Sequence, residues 1–183
     1  MAGVERFSRM AKQYDGNKSP TLDPTVDAVR RLHWWPTEPS LRAMELGCGT
    51  GQLSFALLDS LSSVTGVDPA QGMIDVLSEK IEESELGERM SAVCANLLEE
   101  QPEGLPLGSF DVIFSKLAFH HIPDCGAMVK AVAPYLAPGG RLLILVRAAL
   151  SPSPSLSRSL SLSLSLSVCL SPLSRAVSLN FHP

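Results

Sequence analysis

The stretch MELGCGTGQLSFALL, Met44 to Leu58, sets three glycines in five residues between an apolar run and an amphipathic one. Leu41 to Leu46 before it reads as a short buried strand. Leu53 to Leu61 after it carries Leu53, Leu57, Leu58 and Leu61 at the spacing of one helix face. A strand that turns into a helix through Gly47, Gly49 and Gly51 is a place where the backbone adopts positive φ and comes close to a ligand.

The same alternation continues outward. Strands are expected at Val64 to Val67, Met90 to Ala95, Asp111 to Phe114 and Arg141 to Val146. Helices are expected at Val4 to Tyr14 and Thr25 to Leu32, the second with Thr21 or Asp23 to cap it and Pro24 near its start. Two more are expected at Met73 to Ile81, with Met73, Val76, Leu77 and Ile81 inward, and at Ala127 to Leu136, stopped by Pro138-Gly139-Gly140. Short apolar strands separated by amphipathic helices specify an α/β fold, a Rossmann-like doubly wound parallel sheet of about five strands buried on both faces. Ligands of such sheets bind beyond the carboxyl ends of the strands, where the glycine turn lies.

Composition narrows the function. With 15 basic and 19 acidic residues, the net charge of −4 argues against a protein built to grip nucleic-acid phosphates. No run of about 18 apolar residues suggests a membrane span. Cys48, Cys94, Cys125 and Cys169 are scattered without a C-x-x-C pair, so no zinc site or disulfide framework is expected and a reducing cytoplasmic setting fits. The segment MAGVERFSRMAKQYDGN has no apolar stretch of the kind a signal peptide needs.

Two familiar glycine motifs fail here. A dinucleotide fingerprint requires glycine at position 52, which is Gln52, so a nicotinamide-binding oxidoreductase is disfavoured. A Walker loop requires Lys-Ser/Thr after Gly51. Instead ELGCGTG, GVDPAQGMI, FDVIFSKLAFHHI and LAPGGRLLIL, in that order, resemble the class I S-adenosylmethionine-dependent methyltransferases, in particular the small-molecule enzymes related to ubiquinone and menaquinone biosynthesis. The likeness covers about residues 5 to 146, and FSRMAKQYD resembles the segment that closes over the cofactor in that group.

The resemblance implies S-adenosyl-L-methionine as cofactor, a small-molecule methyl acceptor as substrate, and neither a metal nor a nucleic-acid partner. It implies that Glu45, Gly47, Gly49 and Gly51 line the amino-acid and ribose side and that Asp68 accepts from both ribose hydroxyls, which suits a carboxylate with two acceptor oxygens. Met73 would pack on adenine, and Asn96 stands where the family usually offers an acid to the adenine amino group. Ser115 and Lys116 would face the transfer site, with Tyr14 in the closing segment. Catalytic candidates are His120 and Tyr14. His120 and His121 are expected on an extended segment, pointing apart, so that one lines the site wall and the other packs or is exposed. Trp34, Trp35 and Phe7 read as packing of the N-terminal helices, and Cys48 as a small residue filling the turn.

Composition changes sharply near Ala149, dividing a methyltransferase-like domain, 1–149, from a Ser/Leu-rich tail, 150–183. The family sheet has seven strands, and its last two have no counterpart in this tail. The repeat SLSLSLSLS, Ser159 to Ser167, is what a run of alternating T and C encodes, so a translated simple repeat is expected; an uninterrupted coding exon across the Val146 codon would contradict it. Physically, period 2 puts Leu160, Leu162, Leu164 and Leu166 on one face, able to join an open sheet edge or to aggregate, while SPSPS, Ser151 to Ser155, resists regular structure. A chain that keeps the cofactor half of the site and lacks turnover is the alternative expectation.

Overall fold

The computed structural model describes residues 2–17 and 19–146, and the backbone of 167–169. The elements in chain order are α1 (Ala2–Asp15), α2 (Leu22–Arg30), β1 (Leu41–Leu46), α3 (Gln52–Leu57), β2 (Leu61–Asp68), α4 (Gln71–Glu83), β3 (Met90–Cys94), β4 (Phe110–Lys116), α5 (Cys125–Val132), β5 (Leu136–Leu145) and β6 (Ser167–Cys169). The sheet runs β3-β2-β1-β4-β5-β6. The first five strands are parallel, as the alternation of strands and helices requires. β6 comes from the tail and pairs antiparallel with β5 at Arg141 to Leu143. The leucines of the repeat and the SPSPS stretch lie outside the described residues.

Period-2 alternation sorts the strands onto two cores. Ala43, Val64, Val112, Phe114, Leu143 and Leu145 face α2, α3 and α4. Met44, Leu46, Val67, Ile113, Leu142 and Ile144 face α5 and Phe119. Burying one such large side chain stabilises by about 1.5–3 kcal/mol, so both faces contribute to holding the sheet. A third, smaller cluster seats α1 through Ala11 against Ala70, Met73 and Val76. Trp35 is buried against Phe114 and donates from Nε1 to Ser60 Oγ at 3.1 Å, and Trp34 lies under the Arg141 guanidinium. Both tryptophans are packing residues.

Some boundaries differ from the sequence expectation. Thr21 stands at the cap of α2, but its hydroxyl turns to Ser19 Oγ, 3.0 Å away. The helix begun at Gln52 ends at Leu57, and Leu61 opens β2. The helix expected to reach Leu136 stops at Val132, because Pro134 lacks the N–H that would continue it, and a 3-10 turn follows over Ala133–Tyr135. The strand expected from Arg141 starts at Leu136. Pro138, Gly139 and Gly140 form a bulge inside it, where pairing jumps from Phe110–Leu136 to Val112–Arg141 and Gly139 takes φ +81°. The glycine pair thus breaks the ladder within β5 instead of stopping the helix.

Candidate functional site

The order β3-β2-β1-β4-β5 makes the gap between the carboxyl ends of β1 and β4 the switch point of the sheet. Leaving β1, the chain takes φ +67° at Gly47, +53° at Gly49 and +76° at Gly51, and the Gly47 N–H donates to the Val67 carbonyl of β2 at 2.7 Å. The three glycines have different duties. A Cβ at Gly47 would sit 2.4 Å from Ala118 Cβ, so this glycine lets the turn close on the loop after β4. One at Gly51 would sit 2.5 Å from Leu77 Cδ1, so this one packs α3 on α4, away from the site. Only Gly49 faces room: its nearest atoms would be Met73 Sδ at 3.9 Å and Tyr14 Cε1 at 4.0 Å.

A cavity of about 50 Å³ opens there, lined by Tyr14, Glu45, Gly47, Gly49 and Lys116, with Cys48, Thr50, Gln52 and Leu53 completing it. Glu45 lies opposite Phe114 in the sheet, and Lys116 follows two residues later on the same face. Glu45 is buried, and its Oε2 accepts from the Ser54 N–H at 3.0 Å and the Ser54 hydroxyl at 2.5 Å. Burial pushes its carboxyl up to about 7, against the Ser54 bonds and the Lys116 charge. Burial likewise lowers the Lys116 ammonium below its ordinary value, partly offset by Glu45.

Asp68 ends β2. Its Oδ2 accepts from the Gly49 N–H and its Oδ1 from the Ala70 N–H, both at 2.9 Å, while burial raises its carboxyl above the usual range. Each oxygen retains a second lone pair. Tyr14 arrives from α1 and is 44% exposed, with its phenol turned to the cavity; partial burial, followed by the charges of Glu45 and Asp68, raises it above the ordinary value. Met73 is buried between the turn and α1. Asn96 follows β3, and its side-chain oxygen accepts from the Leu98 N–H at 3.2 Å, an Asx turn. Among the described residues two buried hydroxyls have no partner, Ser115 Oγ and Thr50 Oγ1, the latter on a cavity residue.

The histidines depart from expectation. Phe119–His121 is a 3-10 turn, not an extended segment, so the His120 and His121 rings lie 3.8 Å apart rather than on opposite sides. Both are exposed, His121 meets Phe7 edge-on at 5.3 Å, and neither lines the cavity. Burial and the neighbouring His120 lower the His121 ring. Cys48, Cys94 and Cys125 are free thiols. Among the described residues no group of three or more His, Cys, Asp and Glu could hold a metal ion, and no helix is long and apolar enough to cross a membrane.

Sequence reasoning left Gln52 and Lys80 without a role. Gln52 Oε1 accepts from the Ser19 N–H at 3.1 Å, and its Nε2 donates to the Asn17 carbonyl at 3.2 Å. Lys80 donates to Asp15 Oδ1 at 2.7 Å and to the Thr50 carbonyl at 2.9 Å. Lys116 donates to Ser19 Oγ at 3.0 Å. Together these side chains tie α1 and the segment after it to α4, to the start of α3, to the glycine turn and to the end of β4. Their long sequence separations hide them from any local pattern.

Residues 43–140, over half of the chain, match the family described as methyltransferase domain. Among curated relatives, ubiquinone biosynthesis O-methyltransferase of Xanthomonas euvesicatoria pv. vesicatoria is 30% identical over 151 residues, 77% of this chain and 59% of the relative. The protein of that name from Idiomarina loihiensis is 35% identical over 104 residues, 55% and 40% of the two chains. The chain thus spans about half the length of the curated relatives it matches. Among solved structures, an S-adenosylmethionine-dependent methyltransferase from Mesorhizobium loti superposes with TM-score 0.53 at 26% identity, covering 68% of this chain and 52% of that one. Phosphoethanolamine N-methyltransferase 2 of Haemonchus contortus, solved with S-adenosyl-L-methionine, does so with TM-score 0.59 at 24% identity, covering 72% and 30%. With the family match spanning the sheet from β1 into β5, this chain belongs to the class I S-adenosylmethionine-dependent methyltransferases.

Proposed function

We propose that this chain binds S-adenosyl-L-methionine at the Gly47–Gly51 turn and transfers its methyl group to a small-molecule acceptor. The observation that carries the reading is the pairing of an open Gly49 with Asp68: the carboxylate is fixed by two backbone N–H groups and keeps acceptor capacity on both oxygens. That is the geometry a vicinal diol requires. Thr50 and Ser115, buried with unpartnered hydroxyls, support a polar ligand at the same strand ends.

Each side chain then has a task. Asp68 would hold the ribose, and Glu45 and Lys116 would meet the ammonium and carboxylate of the amino-acid end. Met73 would form the apolar floor, and the remaining lone pair of Asn96 would receive the adenine amino group. Tyr14 would cover the cavity with a phenol that stays protonated through neutral pH, a donor and a wall rather than a base. His120, exposed and off the cavity, has no part in this arrangement. When bound, the cofactor supplies an electrophilic methyl carbon on a good leaving group. The protein's work is to align the acceptor and exclude water, for which approximation supplies roughly 7–11 kcal/mol in favourable systems.

Calorimetric titration with S-adenosyl-L-methionine, followed by transfer of labelled methyl to a panel beginning with phenols and amines, tests this. Binding lost in Asp68→Ala is expected, with label in one acceptor class. No heat from the folded wild-type chain would sink the reading, and binding without label in any acceptor would leave a cofactor binder without turnover.

A further inference from the structure

We propose that Lys80, outside the cavity, is the positioning residue that carries Tyr14 onto the site. The Lys80 ammonium makes three contacts at once: Asp15 Oδ1 at 2.7 Å, the Thr50 carbonyl at 2.9 Å, and the face of the Phe55 ring, 4.9 Å from its centroid. Asp15 is the residue after Tyr14, and Thr50 lies between Gly49 and Gly51. One cation therefore clamps the end of α1 to the middle of the glycine turn, and Tyr14, the residue before Asp15, lines the cavity beside Gly49. Asp15 and Lys80 are each about one-quarter exposed, so water screens this pair less than an ordinary surface pair. Gln52 holds the same end, donating from Nε2 to the Tyr14 carbonyl at 3.5 Å and to the Asn17 carbonyl at 3.2 Å and accepting from the Ser19 N–H at 3.1 Å, but it is neutral and its contact with α1 is a long backbone one. Lys80 is the point at which the clamp can be opened by one change of charge.

The position of Tyr14 has its own readout. Tyr14 and Tyr135 are the two tyrosines of the chain, so in a Tyr135→Phe background the ultraviolet titration of phenolate reports Tyr14 alone. In its clamped place the phenol is raised by partial burial and by the carboxylates of Glu45 and Asp68. Lys80→Met removes a positive charge, which by direct Coulomb action raises a phenol further. Release of Tyr14 into water does the opposite and returns it toward the ordinary value near 10. The two effects have opposite signs, so the direction of the shift identifies the cause.

The expected result is a downward shift in Lys80→Met, restored in Lys80→Arg, with faster amide exchange across α1 and unchanged exchange in β1 and β4. An upward shift or none, with α1 exchange unaltered, would overturn the assignment. Should Lys80→Met fail to fold, Asp15→Asn opens the clamp from the other side; accelerated exchange in α1 is then expected, and unchanged exchange overturns it. These readouts need no ligand, so they stand apart from the proposed function. The inference rests on that function in one respect, that Tyr14 covers bound cofactor, and the dissociation constant of S-adenosyl-L-methionine is then expected to rise about tenfold in Lys80→Met, the usual weight of one charged hydrogen bond. Absence of binding in the wild type refutes the cofactor reading alone, whereas wild-type binding with an unchanged constant in Lys80→Met refutes the positioning role.

Discussion

Glu45 shows what one buried acid costs and how that cost depends on pH. Its folded value of about 7 lies above the ordinary 4.5, so between these two pH values the folded state holds a proton the unfolded state has released. Stability therefore falls as pH rises from 4.5 to 7 and levels off above, a loss on the order of 3 kcal/mol from this group. Glutamine in its place can still accept from both Ser54 donors through its carbonyl. Glu45→Gln is expected to flatten the decline between pH 4.5 and 7 in urea unfolding, with Asp68, raised in the same direction, leaving a residual slope. An unchanged profile would mean that Glu45 is ionised in the folded protein throughout. The glutamate was legible in the sequence as part of ELGCGTG, but its protonation was not, because the Ser54 donors and the Lys116 charge come from other elements.

At the scale of elements, each strand and helix was legible where apolar spacing decided it, and boundaries moved where a backbone hydrogen bond decided instead. α5 illustrates this. Asp124 accepts from the Ala127 N–H at 2.8 Å and starts the helix two residues before the expected Ala127. Pro134 ends it early. Asp124→Ala is expected to cost about 1 kcal/mol of unfolding free energy, the usual worth of such a cap, while leaving cofactor affinity unchanged; a loss of affinity would show that α5 reaches the site. The His120–His121 error has the same origin. Leu117 takes φ +56°, and its N–H donates to the Leu145 carbonyl, so the chain bends sharply after β4 and enters a 3-10 turn that no side-chain pattern announces.

Seen as a whole, the molecule is a two-sided sheet with a helix laid over its ligand edge; periodicity makes the sheet and the helix legible, and the resemblance of FSRMAKQYD suggests where the helix lies, but not the contacts that hold it there. The contacts seating α1 and the segment after it join residues 64 to 97 positions apart, beyond the reach of local periodicity. At Gly72 the helices cross with no room for a side chain: a Cβ there would lie 2.3 Å from the Ser8 carbonyl oxygen. Alanine favours a helix over glycine by about 1 kcal/mol, so Gly72→Ala is expected to leave global unfolding within about 1 kcal/mol of wild type while wedging α1 outward. Faster amide exchange in α1 with protection kept in β1, β2 and β4 is the measurable sign, and uniform protection would show that the crossing tolerates the methyl group. The same long separations impose an order of events. α1 precedes every strand of the sheet, yet its anchors at Gly72 and Lys80 are synthesised well after it, so a helix made before the sheet can dock only once α4 has followed.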